Sequence, residues 1–120
     1  MSAEDVEMDG LLEIAGTDLE AGGSGAVLLR VFQTLDRAGL PYCVLDSYEG
    51  YPASGPSGDV DCVMPVGVLP LRLATVLRAN RDRIGAEVVQ WNSESDHYVT
   101  LTFKGSDGRP RFLHLDVHPG

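Results

Sequence analysis

The chain has 120 residues, enough for one hydrophobic core but not for separate cofactor and substrate lobes. Hydrophobic residues make up 43% and charged residues 22%, which argues against a wholly disordered, collagen-like or membrane-spanning chain. Eighteen acidic against nine basic side chains leave a net charge of −9, and a surface of that sign repels a phosphate backbone, so general nucleic-acid binding is excluded as an expectation.

The charge is uneven. Residues 1–29 carry seven acids and no Lys or Arg, whereas residues 30–120 carry only −2. No stretch approaches the roughly 20 apolar residues of a spanning helix, and the acidic start lacks the basic region of a secretion signal. The expected location is cytoplasmic, with no membrane partner. Residues 1–25 mix acids with a Gly-Gly-Ser-Gly run (Gly22 to Gly25) and read as an acidic, disordered tail, because they offer too little apolar surface to offset the entropy of ordering. The domain is expected over 26–120.

From 26 to 38 the apolar residues Val27, Leu28, Val31, Phe32, Leu35 and Ala38 recur every three to four positions, the period of an amphipathic helix. Gly39 stops it, and residues 42–45 form a short β-prone run ahead of a Gly, Pro, Ser and Tyr-rich loop over 46–58. A second apolar strand is expected over 60–64. Leu69, Leu73, Val76, Leu77 and Ile84 mark a second helix ended by Gly85, with Arg72, Arg78, Arg81 and Arg83 outward. Residues 87–91, 97–103 and 111–118 each read as strands. The expected architecture is α/β (α+β): a mixed sheet of about five strands with helices packed mainly on one face. Cys43 and Cys62 lie in apolar runs without C-x-x-C spacing and read as small core residues.

Asp59 and Asp61 open the 60–64 strand two residues apart, and period-2 geometry sends both carboxylates to one face. Two adjacent negative charges at such a place are accounted for by a divalent cation with hard oxygen ligands, or by an exposed strand edge facing solvent. In the last strand Leu113, Leu115 and Val117 alternate with His114, Asp116 and His118. If that strand lies beside the 60–64 strand, Asp59, Asp61 and Asp116 converge on one or two metal ions. His114 and His118 read as solvated polar-face residues, with a minor ligand or nucleotide contact as the alternative for His118.

A strand, a Gly/Ser-rich loop, Ser-Gly-Asp-Val-Asp and a closing Leu-Asp-Val-His resemble the nucleotidyltransferase superfamily related to DNA polymerase beta. With Gly-Leu-Pro-Tyr-Cys-Val-Leu and Tyr-Glu-Gly they resemble more narrowly its uncharacterised bacterial nucleotidyltransferase-like domains, some of which precede a kinase-like domain. The resemblance covers about 26–118. It implies a nucleotidyltransferase-like fold and Mg2+ (or Mn2+) bound by Asp59, Asp61 and Asp116. It also implies nucleotide binding, ATP included, with transfer of a nucleoside monophosphate to a small-molecule or protein acceptor and release of pyrophosphate. Asp46 and Ser47 fall where the superfamily has a phosphate-cradling Gly-Ser pair; Ser57 and Gly58, leading into the Asp-Val-Asp strand, join them on the phosphate side.

Asp46 replaces a glycine whose bare backbone permits close approach, and its charge repels a triphosphate. A second expectation therefore stays open: a catalytically impaired domain that senses nucleotide or binds a partner. A third is an interaction protein whose acidic tail engages a basic partner. The sequence stops soon after the third carboxylate, where the superfamily continues, which implies an additional domain or partner subunit completing the site.

Overall fold

The computed structural model describes residues 23–45 and 59–120. The phosphate-side residues Asp46, Ser47, Ser57 and Gly58, the loop over 46–58 and nearly all of the acidic tail lie outside the described residues. The elements are α1 (Ser24–Arg37), β1 (Cys43–Val44), β2 (Val60–Met64), a 3-10 turn (Val66–Val68), α2 (Leu71–Ala79), α3 (Arg81–Ile84), β3 (Glu87–Asn92), β4 (His97–Lys104) and β5 (Pro110–Pro119). This is an α+β fold.

Helix α1 begins two residues before the apolar period does, because Gly23 accepts the first helical bond from Val27 at 3.1 Å and Gly25 is itself buried. Its end is a Schellman motif. Gly39 takes φ 73°, the Gly39 N–H bonds Asp36 O at 3.1 Å and the Leu40 N–H bonds Leu35 O at 2.9 Å. Leu35 and Leu40 are both buried, which supplies the apolar contact that accompanies such a cap.

The expected single helix from 69 to 84 is two helices. Asn80 leaves helical geometry (φ −111°, ψ 18°), and its side-chain amide donates to Val76 O at 2.8 Å. An Asx side chain competing for a carbonyl of the preceding turn is a physical reason for the break. Gly85, at φ 77°, ends α3, and Arg30 of α1 donates from Nε to Ile84 O at 2.9 Å, capping a terminal carbonyl from another helix.

The sheet order is β1-β2-β5-β4-β3. β2 runs parallel to β5, and every other neighbouring pair is antiparallel. A register shift between Val88 and Gln90 skips Val89 in the ladder, and Val89 is exposed. Val60, Cys62 and Met64 of β2, Val99, Leu101 and Phe103 of β4, and Leu113, Leu115 and Val117 of β5 point to one face. There they form a single buried cluster with Val27, Val31 and Leu35 of α1, Leu73 and Leu77 of α2 and Ile84 of α3. The helices thus cover the apolar face, and the intervening strand residues stand on the other.

That alternation corrects the reading of the cysteines. Cys62 is buried but Cys43 is exposed, because Val44 pairs with Cys62 and leaves Cys43 paired with the outward Val63. Burial pushes the Cys62 thiol up to about 12, with Asp61 and Asp116 adding to the shift, so it stays protonated at neutral pH and is no nucleophile.

Leu101 sits fully buried at the centre of β4. Leu101→Ala should cost about 2–5 kcal/mol in urea unfolding, whereas Val89→Thr at the exposed bulge should stay within about 0.5 kcal/mol.

Candidate functional site

The outward face carries the polar residues of three strands. In the β2–β5 ladder Asp61 pairs directly with Asp116 and Val63 with His118. In the β4–β5 ladder Tyr98 pairs with Asp116 and Thr100 with His114. Paired residues share a face, so two strand carboxylates distant in sequence become immediate neighbours.

The two carboxylates have a third companion. His118 Nε2 lies 3.1 Å from Asp61 Oδ1 and 3.9 Å from Asp116 Oδ2. On the other side of the ring, Nδ1 lies 3.0 Å from Asp96 Oδ2. Asp96 comes from the β3–β4 turn: it directly precedes His97, which pairs with Val117, so it stands beside His118. One donor atom each from Asp61, Asp116 and His118 lie within 4.8 Å of one another. All three side chains are between a quarter and a third exposed, open enough to meet a solute.

Asp59 is held differently. Tyr98 donates its hydroxyl to Asp59 Oδ1 at 2.9 Å, while its ring stacks on His114 with centroids 5.6 Å apart. His114 in turn exchanges a hydrogen bond with Thr100 Oγ1 at 3.1 Å. Tyr98 therefore reaches from β4 across β5 to the start of β2. Of the three sequence-derived carboxylates, the sheet brings Asp61 and Asp116 together with His118, and Tyr98 holds Asp59 on the same face.

Sequence reasoning undervalued His118 and did not single out Asp96 or Tyr98. His118 stands on the polar face and is partly exposed, but both of its ring nitrogens face carboxylates. The alternation of 97–103 already sent Tyr98 outward. Asp96 carried no signal, because turn aspartates are common and only the hairpin register shows what it faces.

The electrostatics follow from this crowding. The hydrogen bond to Asp61 is the largest influence raising the His118 imidazole above its ordinary 6.5; partial burial opposes it, and Asp116 and Asp96 reinforce it. The Asp116 carboxyl is raised above its ordinary 3.8, first by burial and then by Asp61, Asp96 and Asp59, against the opposing pull of His118. The Tyr98 phenol is likewise raised, by burial and by its bond to Asp59.

Two carboxylates and an imidazole are a donor set that divalent ions accept. Ligands about 2.1 Å from a shared ion and at right angles to each other are about 3.0 Å apart. The 3.1 Å from His118 to Asp61 is close to that, whereas the 3.9 Å to Asp116 is longer, so the three fit a shared cation once the Asp116 carboxylate moves inward.

No family model matches the chain, and no curated protein or solved structure matches it either. Among the described residues, no helix is long and apolar enough to cross a membrane.

A raised imidazole stabilises the fold fully below its ordinary value of 6.5, and the contribution disappears as pH rises through the folded value. With chelator present, the Tm of the unmodified chain should fall as pH rises above 6.5. Thermal scans of His118→Gln across the same range should show a flatter profile.

Proposed function

We propose that the chain is a divalent-cation-dependent nucleotidyltransferase of the cytoplasm, related to the DNA polymerase beta superfamily. It moves a nucleoside monophosphate from an NTP to the hydroxyl of a small-molecule or protein acceptor, with release of pyrophosphate. The observation that carries this reading is the direct pairing of Asp61 with Asp116 on one face of the sheet, which sets two like-charged side chains at opposed ladder positions.

Asp61 and Asp116 hold Mg2+ or Mn2+, with Asp59 as the third carboxylate. The cation supplies the positive charge that lets these groups remain ionised beside a triphosphate. Asp116 is the group that accepts the acceptor hydroxyl's proton: burial and its acidic neighbours raise its affinity for a proton, and a base with a pKa nearer the working pH is more effective. Tyr98 fixes the Asp59 carboxylate in orientation. Ser47, Ser57 and Gly58 are the residues that the resemblance assigns to the phosphates.

One observation favours a second reading. Asp46 stands where the resemblance calls for glycine, and its charge opposes the triphosphate, which suits a nucleotide-sensing domain without turnover. The two readings separate when ATP, CTP, GTP and UTP are titrated with Mg2+ or Mn2+ and pyrophosphate is assayed in the same samples. Release supports the transferase, and binding without release supports the sensor.

If the transferase reading holds, Asp61→Asn and Asp116→Asn should each lower pyrophosphate release by on the order of 100-fold or more. Both should also abolish the rise in Tm that cation binding to the native state produces. Asp46→Gly should tighten NTP binding; an unchanged affinity would show that Asp46 does not face the phosphates.

A further inference from the structure

The environment of the His118 ring constrains where charge must lie. Its Nδ1 is 3.0 Å from Asp96 Oδ2, which accepts a proton-bearing nitrogen and nothing else when ionised. A neutral ring with its proton on Nδ1 would then aim the Nε2 lone pair at Asp61 Oδ1, 3.1 Å away, and towards Asp116 Oδ2 at 3.9 Å. A lone pair facing two carboxylates is repulsive unless something positive lies between them. A proton or a metal ion meets that requirement.

The remainder of the arrangement is that of a metal-binding histidine. A histidine that binds metal through one nitrogen almost always donates its other N–H to a carboxylate or carbonyl, which fixes the tautomer and strengthens the donor. Asp96 occupies that place, and it arrives from the β3–β4 turn, an element separate from both carboxylate strands.

We infer that His118 is itself a metal ligand through Nε2, that Asp96 is its positioning residue, and that the centre selects a first-row transition ion over Mg2+. The inference rests on the cation-binding part of the function proposed above and adds the identity of the ion. Imidazole is a poor ligand for Mg2+, which prefers oxygen and holds its waters, but a good one for Mn2+, Fe2+, Co2+ and Zn2+. Asp61 and Asp116 would bind as ionised carboxylates and His118 through a neutral Nε2.

Mn2+ is the probe, used on the full chain, because its unpaired electrons couple to a directly bound nitrogen. Pulsed electron paramagnetic resonance of the Mn2+-loaded protein should show imidazole 14N modulation, and His118→Gln should remove it. Asp96→Asn keeps an oxygen for the Nδ1–H and should retain the modulation, whereas Asp96→Ala should weaken Mn2+ binding by about 10–100-fold. Mg2+ should displace Mn2+ only in clear excess, and the excess needed should shrink in His118→Gln.

Mn2+ bound without nitrogen modulation would overturn the inference while leaving a carboxylate cation site intact. Modulation that persists in His118→Gln would overturn it too, by tracing the nitrogen to another residue. Absence of Mn2+ binding would sink both this inference and the cation-dependent transferase. Nitrogen coupling without pyrophosphate release would sustain the inference and count against the transferase.

Discussion

The parallel pairing of β2 with β5 is the constraint on which the rest depends. It runs from Val60 opposite Leu115 to Met64 opposite Pro119, so each step sends one pair of side chains inward and the next outward. Val60, Cys62, Leu115 and Val117 reach the core by the same geometry that stands Asp61 against Asp116. Because a slip of one residue would exchange the two sets, burying carboxylates and exposing the apolar side chains, the hydrophobic core specifies the register of the polar face. The carboxylate encounter is thus imposed by the packing on the opposite side.

Much of this architecture was legible in the chain because it follows from periodicity. The 3.6-residue recurrence from Val27 to Leu35 and the strict alternation from Leu113 to His118 are local patterns, and they identify the element and its buried face together. Gly39 and Gly85 were legible as stops because each takes a positive φ. The break at Asn80 was not, since the apolar period runs through it and only the side-chain bond to Val76 O ends the helix. Cys43 was misread because apolar neighbours do not say which face a short edge strand presents.

The polar site was legible in part, for a related reason. Asp61 and Asp116 each announced themselves as aspartates within apolar strands, a residue type that strands disfavour. Their meeting depended on which strands are neighbours, a property of topology. His118 looked ordinary because a histidine on a polar face is common; what distinguishes it is a pair of partners 57 and 22 residues away in sequence. Asp59 and Tyr98, 39 residues apart, illustrate the same limit.

The hairpin that presents Asp96 also contains the only tryptophan of the chain. Trp91 packs against the core and donates its indole N–H to His97 Nδ1 at 3.1 Å, and His97 is the residue next to Asp96. Rotation of the imidazole that Asp96 holds would therefore be felt, through one peptide unit and one hydrogen bond, at the indole. The molecule thus carries its own fluorophore one residue removed from its polar centre, on the opposite face of the sheet, and its emission can follow events there without any attached label.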